Sequence, residues 1–373
     1  MIFGAVVFLV QTAEGVSDAY DLIDQLFDQL GDFAVRVVQY SKSTSLNLKT
    51  KLVQILECLL EILARSERVI KEARAKKFFK LLVLGKDETT NTLLKRLVQL
   101  QEGEQRQVNA ENYAIQQEHL RKTILDWLSS TDFPTQLSDF IARKEEGTGS
   151  WFLHATQFKD WIQEPKQTLF CPGMPGAGKT MIAAIAIDHL SGQSEANEVA
   201  CIFCNYKARA ERQQNAVSLL AAILRQLVQA QSSIPGSVLR LHEYHSGRGT
   251  RPSLEEIFTA LNSVVKDCPR VYLVIDALDE CPAEDGTRGQ LLAKIRDLQK
   301  EEGTDLRLMV TSRFIPDIED KFKEALRLEV RASDKDVKKF IAGQVGRLPK
   351  VVERNEELKD LIINEITQAV DGM

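Results

Sequence analysis

The chain has 373 residues, 44% of them hydrophobic and 27% charged, with a formal net charge of −5. That balance suits globular domains and leaves room for two of ordinary size. The acidic total supplies no general footprint for nucleic acid, which is not an expected partner.

The apolar start from Ile2 to Val10 lacks a basic leader and falls short of the ~20 residues that span a bilayer, so it is read as a buried helix. From Val16 to about Leu128 no strand pattern appears. Leucine, isoleucine and phenylalanine recur at spacings of three and four, most clearly at Leu52, Ile55, Leu56, Leu59, Leu60 and Leu63, one wide apolar stripe. Residues 1–128 are therefore expected to form an all-α helical bundle. Its immediate start on buried-type residues implies that helices of the same bundle precede it. The bases Arg65, Arg68, Lys71, Arg74, Lys76, Lys77 and Lys80 crowd one stretch, but Glu67 and Glu72 dilute it; a solvated helix face, not a membrane contact, is expected.

Residues 129–146 are assigned as linker, with the helical pattern broken at Ser129-Ser130-Thr131-Asp132-Phe133-Pro134. The polar stretch before it is equally compatible with a solvated helix from about Glu104 to Leu128. Beyond Thr148, short apolar runs alternate with helical ones. Strands are expected at Thr168–Cys171, Val199–Cys204, Val271–Ile275, Leu306–Val310 and Leu326–Val330, and helices at Lys179–Leu190 and Val217–Gln229. This alternation predicts an α/β core over 147–373, a parallel sheet with helices on both faces.

Gly173-Met174-Pro175-Gly176-Ala177-Gly178-Lys179-Thr180 fits G-x-x-x-x-G-K-[ST] between an expected strand and an expected helix. There, backbone N–H groups and a helix N-terminus would face phosphates, Lys179 would add a point charge, and Thr180 would place a hydroxyl on Mg²⁺. Asp276, at the end of the run from Arg270, is the expected second metal anchor. Asp279 and Glu280 follow it, placed to polarise a water attacking the terminal phosphate; adjacency leaves open which faces the water, and Glu280 is preferred. Thr311-Ser312-Arg313 closes the next strand at the edge where parallel sheets bind ligands. Arg313 would meet the terminal phosphate or a neighbouring carboxylate. No Asn-Lys-x-Asp is present, so ATP is favoured over GTP.

The stretch Gly147-Thr148-Gly149-Ser150-Trp151-Phe152-Leu153, then Phe158, Trp161, the P-loop, Ile275-Asp276-Ala277-Leu278-Asp279-Glu280-Cys281 and Thr311-Ser312-Arg313 resembles the NACHT domain of fungal STAND NTPases. The resemblance implies an added-strand P-loop ATPase in which slow hydrolysis and exchange gate self-association into homo-oligomers. Lys179, Thr180, Asp276 and Arg313 would take the roles given above, and Gly147, Thr148 and Gly149 would lie near adenine. Gly4 to Ser17, with Leu30-Gly31-Asp32-Phe33, resembles the goodbye-like domain that precedes such modules. It implies that residues 1–128 are an interaction domain through which a protein partner binds, in a cytoplasmic signalling protein, and the end at Asp371-Gly372-Met373 implies a partial chain. A nucleotide-binding scaffold with little hydrolysis and a motor-type AAA+ ATPase are the alternatives; no substrate-gripping loop or partner-supplied arginine finger is identifiable for the motor.

Six cysteines, Cys58, Cys171, Cys201, Cys204, Cys268 and Cys281, follow no disulfide spacing and are expected as reduced, buried thiols. Cys201 and Cys204 stand three apart in a strand, so they point to opposite faces and do not share a metal. His242 and His245 beside Glu243 have no further ligand cluster.

Overall fold

The computed structural model describes residues 31–33, 35–36, 46–71, 88–193, 197–205, 215–331, 333–344 and 356–369. The apolar start, the goodbye-like stretch from Gly4 to Ser17 and the bases beyond Lys71 lie outside them. The chain divides into two compact units, Met1–Leu120 and Arg121–Met373.

In the first unit, helix α1 (Leu46–Lys71) and the N-terminal part of helix α2 (Glu88–Leu128) enclose a small core of Phe33, Leu52, Ile55, Cys58, Leu59, Ile62, Leu93 and Leu97. The buried face of α1 runs through Leu48, Leu52, Ile55, Leu59 and Ile62, while Leu56 and Leu60 are 43% and 39% exposed. The wide stripe expected from sequence is thus narrower and turned. Positions 56 and 60 sit about 100° round the helix from 55 and 59, and only one arc faces α2. Arg36 pairs with the nearly buried Glu104 at 3.0 Å.

The second unit holds five parallel strands, β1 (Thr168–Pro172), β2 (Asn197–Phe203), β3 (Arg270–Asp276), β4 (Leu306–Ser312) and β5 (Leu326–Arg327), in the order β2-β3-β4-β1-β5. β4 is buried at every position and β3 at all but Arg270, as strands covered on both faces must be. Past Arg327 the ladder continues as Leu328 N–H to Phe170 O at 3.0 Å and Val330 N–H to Pro172 O at 2.8 Å.

Short helices α3 (Phe133–Ala142), α4 (Ser150–His154) and α5 (Thr156–Gln163) precede the sheet. The stretch read as linker therefore carries a helix. Asp132 caps α3 through Thr135 N–H at 3.1 Å, and Pro134 occupies its first turn, a helix start rather than a break. Helix α6 (Lys179–Ser191) packs against β2, β3 and β4; its buried Ala183, Ala184 and Ala186 let it lie close. Helices α7 (Ala216–Ala230), α8 (Gly236–Ser246), α9 (Leu254–Asp267) and α10 (Thr287–Lys300) follow, α7 and α9 opened by capping boxes, Asn215 with Ser218 and Ser253 with Glu256. Helices α11 (Pro316–Lys321), α12 (Asp334–Gln344) and α13 (Glu356–Ala369) complete the described chain.

Three arginines of this unit tie the last turns of α2 and the residues after them. Arg121 donates to the carbonyls of Gln229 and Gln231 at the end of α7, at 2.8 and 2.6 Å. Arg225 donates to Ser129 O at 2.8 Å, and Arg251 to Trp127 O at 2.6 Å. Those are carbonyls with no helical partner ahead of them.

Candidate nucleotide site

All five strands run the same way, so β1, β3 and β4 end side by side, and the loops that leave them form one edge. From β1 the chain enters the loop 173–178 and then α6. Gly176 and Gly178 hold φ of 83° and 88°, the left-handed region where a side chain is strained. Gly173 is needed for room: a Cβ there would stand 2.5 Å from the carbonyl oxygen of Val330. Lys179 turns back into the loop, and its ammonium donates to Gly173 O at 2.9 Å and Met174 O at 2.8 Å. Burial lowers its pKa, against the pull of the Asp279 and Asp276 carboxylates.

Asp276 ends β3 at 3% exposure. Thr180 donates its hydroxyl to Oδ2 at 2.7 Å and Thr311 to Oδ1 at 2.6 Å. Burial raises the carboxyl above its ordinary value, and the two hydroxyls partly offset that. Thr311 also accepts from the N–H of Ala277 at 2.9 Å. Ala277 is a non-glycine residue at φ 54°, a costly conformation that bends the chain sharply off the strand into the 3₁₀ turn Leu278–Glu280. Hard oxygen donors from Thr180 and Asp276 thus meet at one point beside the loop, a set that fits a divalent cation such as Mg²⁺.

The turn separates the two neighbouring acids. Asp279 has a side chain only 2% exposed and takes both the backbone N–H of Arg313, at 3.0 Å, and its Nε, while the Arg313 side chain is half exposed. Of the two contacts open to Arg313 from sequence, the structure shows the neighbouring carboxylate. Glu280 is half-buried at the end of the same turn.

Gly147, Thr148 and Gly149 lie apart from the loop in sequence but beside α6 in space. Gly147 and Gly149 have φ of 74° and 71°, and a Cβ on Gly149 would stand 2.4 Å from Cδ1 of Ile185. Thr148 turns on Glu145 O through its hydroxyl at 2.8 Å. Helix α12 holds this segment: Asp336 accepts the N–H of Gly149 at 3.1 Å, and Lys339 donates to Gly147 O at 3.0 Å. Between segment, loop, α6, α12 and α13 lies a cavity of about 690 Å³ lined by Thr148, Gly149, Trp151, Gly176, Met181, Ile182, Ile185, Arg331, Phe340, Ile341, Ile362 and Ile366, among others. The α12 and α13 residues were not singled out from sequence. Their apolar spacing at Val337, Phe340 and Ile341 was the available signal.

The residues set aside from sequence have their own partners. Cys201 bonds Gln226 through Sγ at 3.4 Å, whereas Cys204, past the end of β2, is buried with its N–H on Asp276 O. His245 is buried, with Nδ1 2.8 Å from the Thr250 hydroxyl and Nε2 3.3 Å from Glu256.

Residues 147–313 match the family described as Nephrocystin 3, N-terminal, and residues 1–40 the fungal STAND N-terminal Goodbye domain. The chain is 30% identical over 214 residues to vegetative incompatibility protein HET-E-1 of Podospora anserina; the match spans 53% of this chain and 15% of that protein. Among solved structures, a DNA replication initiation factor aligns at 14% identity and TM-score 0.31, over 61% of this chain and 63% of that one. The Walker-type ATPase PABY2304 of Pyrococcus abyssi aligns at 15% and 0.33, over 56% and 63%. The sheet described above, the match over residues 147–313 and the likeness to HET-E-1 fit a P-loop NTPase-like nucleotide-binding module. These matches fit a fungal protein of the NACHT/STAND kind, with a Goodbye-like N-terminal segment ahead of a NACHT-like module.

Proposed function

We propose that this chain binds ATP with Mg²⁺ and hydrolyses it slowly, as a signalling switch whose nucleotide state gates self-association. The reading is carried by one observation: Thr180 meets the doubly bonded Asp276 beside a loop that Lys179 closes, and residues 176–178 of that loop line an apolar cavity large enough for a nucleoside. The loop N–H groups and Lys179 would take the β- and γ-phosphates, Lys179 exchanging its bonds to Gly173 and Met174 for phosphate oxygens. Thr180 would hold the metal directly and Asp276 from behind it; the metal supplies charge neutralisation at the phosphates when bound. The base would enter the cavity against Gly147, Thr148 and Gly149, between Trp151 and Phe340.

Glu280 is the group we assign to orient the attacking water, because both oxygens of Asp279 are taken by Arg313. Arg313 would reach the terminal phosphate with its outer guanidinium nitrogens while its N–H and Nε stay on Asp279. The protein partner would dock on the N-terminal helical unit, and a cytoplasmic setting suits the six free, buried cysteines.

ATP binding and turnover on the full chain test this, with Lys179→Ala and Glu280→Gln alongside. Lys179→Ala should weaken binding by roughly tenfold or more, about 1.4 kcal/mol, and Glu280→Gln should bind normally while turnover falls roughly 10²-fold or more. Binding without turnover in the parent would replace the switch by a nucleotide-holding scaffold. Light scattering with ATP and with ADP tests the gating, and an unchanged mass in both would remove it.

A further inference from the structure

The segment ahead of α4 and helix α12 run antiparallel along the cavity. Asp336 meets Gly149, Lys339 meets Gly147, and a Cβ on Gly343 would overlap the Glu145 carboxyl group. The same segment follows α6 away from the phosphate loop: Gly149 lies on Ile182 and Ile185, while Lys144 pairs with Asp188 at 3.4 Å. Asp188 is nine residues beyond Lys179, about 13 Å along the helix. Glu145 therefore stands at the end of the cavity far from the loop, where the base of a nucleotide held by that loop would come to rest, and it lines the wall there with Phe340 and Gln344. Its backbone carbonyl is occupied by the N–H and the hydroxyl of Thr148, at 3.2 and 2.8 Å. Among the described residues no donor meets its half-buried carboxylate.

We propose that Glu145 selects a 6-aminopurine by accepting a hydrogen bond from its exocyclic amino group, and that Gly343 is the gap in α12 that seats the carboxylate. The assignment rests on the nucleotide reading above and adds to it the side chain that reads the base. A carboxylate held against a largely apolar wall is a strong acceptor, and a bond donated to it is charge-assisted. Guanine and hypoxanthine carry a carbonyl oxygen in place of that amino group, so the same pose would set two acceptors against each other with no proton between them. A purine with only hydrogen at that position leaves the carboxylate unpaired. Gly147 to Gly149 would accept any purine ring on their backbone; the discrimination comes from Glu145.

Equilibrium binding to the full chain is measured in Mg²⁺ with ATP, with GTP, and with purine riboside triphosphate, which differs from ATP only in lacking the amino group. In the parent the analogue should bind about tenfold more weakly than ATP. Glu145→Ala should lose about the same factor for ATP and almost none for the analogue, so that the two converge. Glu145→Gln, which keeps a neutral acceptor, should fall between. Gly343→Ala, whose methyl group displaces the carboxyl group without removing it, should behave as Glu145→Ala does. Equal losses for ATP and analogue in Glu145→Ala would make the residue a structural support and overturn the proposal. A preference for GTP that Glu145→Ala abolishes would mean that the carboxylate takes the ring N–H and 2-amino group of guanine, and overturns it too. If the parent binds no triphosphate, the nucleotide reading falls and this assignment with it; firm ATP binding with no discrimination against the analogue removes the assignment alone.

Discussion

At Asp276 a carboxylate is held out of water and kept there by two hydroxyls. Thr311 supplies one of them and at the same time receives the N–H of Ala277, the residue at positive φ that sets the following turn. Replacing Thr311 by valine keeps the shape and removes both bonds. Leaving a buried N–H without a partner and Asp276 with one hydroxyl should cost about 1–3 kcal/mol in urea unfolding, with weaker ATP binding as well. A loss under 0.5 kcal/mol would mean that the strand end relaxes around the change. The loop from Gly173 to Thr180 and Asp276 were legible in sequence because each is a fixed spacing read against one strand. The division between Asp279 and Glu280 was not, because it depends on the 3₁₀ turn after Ala277, which no apolar period announces.

Among elements, the strands were readable because buried parallel strands are continuous apolar runs, and their expected bounds fall within a few residues of those found. Their order was not, since β1 lies between β4 and β5 through crossovers that leave no local mark. Asp132-Phe133-Pro134 looked like an interruption and is the start of α3; cap and turn use the same residues. A cap that carries measurable energy is the box at α9, where Ser253 accepts Glu256 N–H at 3.4 Å and Glu256 accepts Ser253 N–H at 2.8 Å. Ser253→Ala should lower stability by about 1 kcal/mol without changing ATP affinity, since α9 does not line the nucleotide cavity. A matched thermal scan and titration separate the two effects.

For the molecule as a whole, acid stability should be set in part at the end of the sheet away from the nucleotide. There Arg307, with a side chain 2% exposed, donates to Asp305 at 3.0 and 2.7 Å and to Ile162 O, while Arg270 reaches the same carboxylate at 3.3 Å. Burial pushes the Asp305 carboxyl up, but the bonds from Arg307, Lys166 N–H and Arg270 outweigh it and leave its pKa lowered. A depressed carboxyl adds stability above its unfolded value near 3.8, lost as the pH falls through the folded value. Asp305→Asn should cost about 3 kcal/mol at neutral pH by stranding a buried guanidinium. Its acid unfolding curve should then lack the component present in the parent; parallel curves would refute the assignment.

The arginines that tie the end of α2 bond mainly to carbonyl oxygens, at Gln229, Gln231, Ser129 and Trp127; the carboxylate among their partners, Asp126, is met by Arg225 at a long 3.5 Å and is more than half exposed. A carbonyl carries no net charge for mobile ions to screen and no proton to gain, and guanidinium stays charged throughout the accessible pH range. Ionic strength and acidity, which loosen ordinary surface ion pairs, have little purchase on this joint. Proteolysis near residues 121–131 should therefore be as slow in molar salt as in dilute buffer.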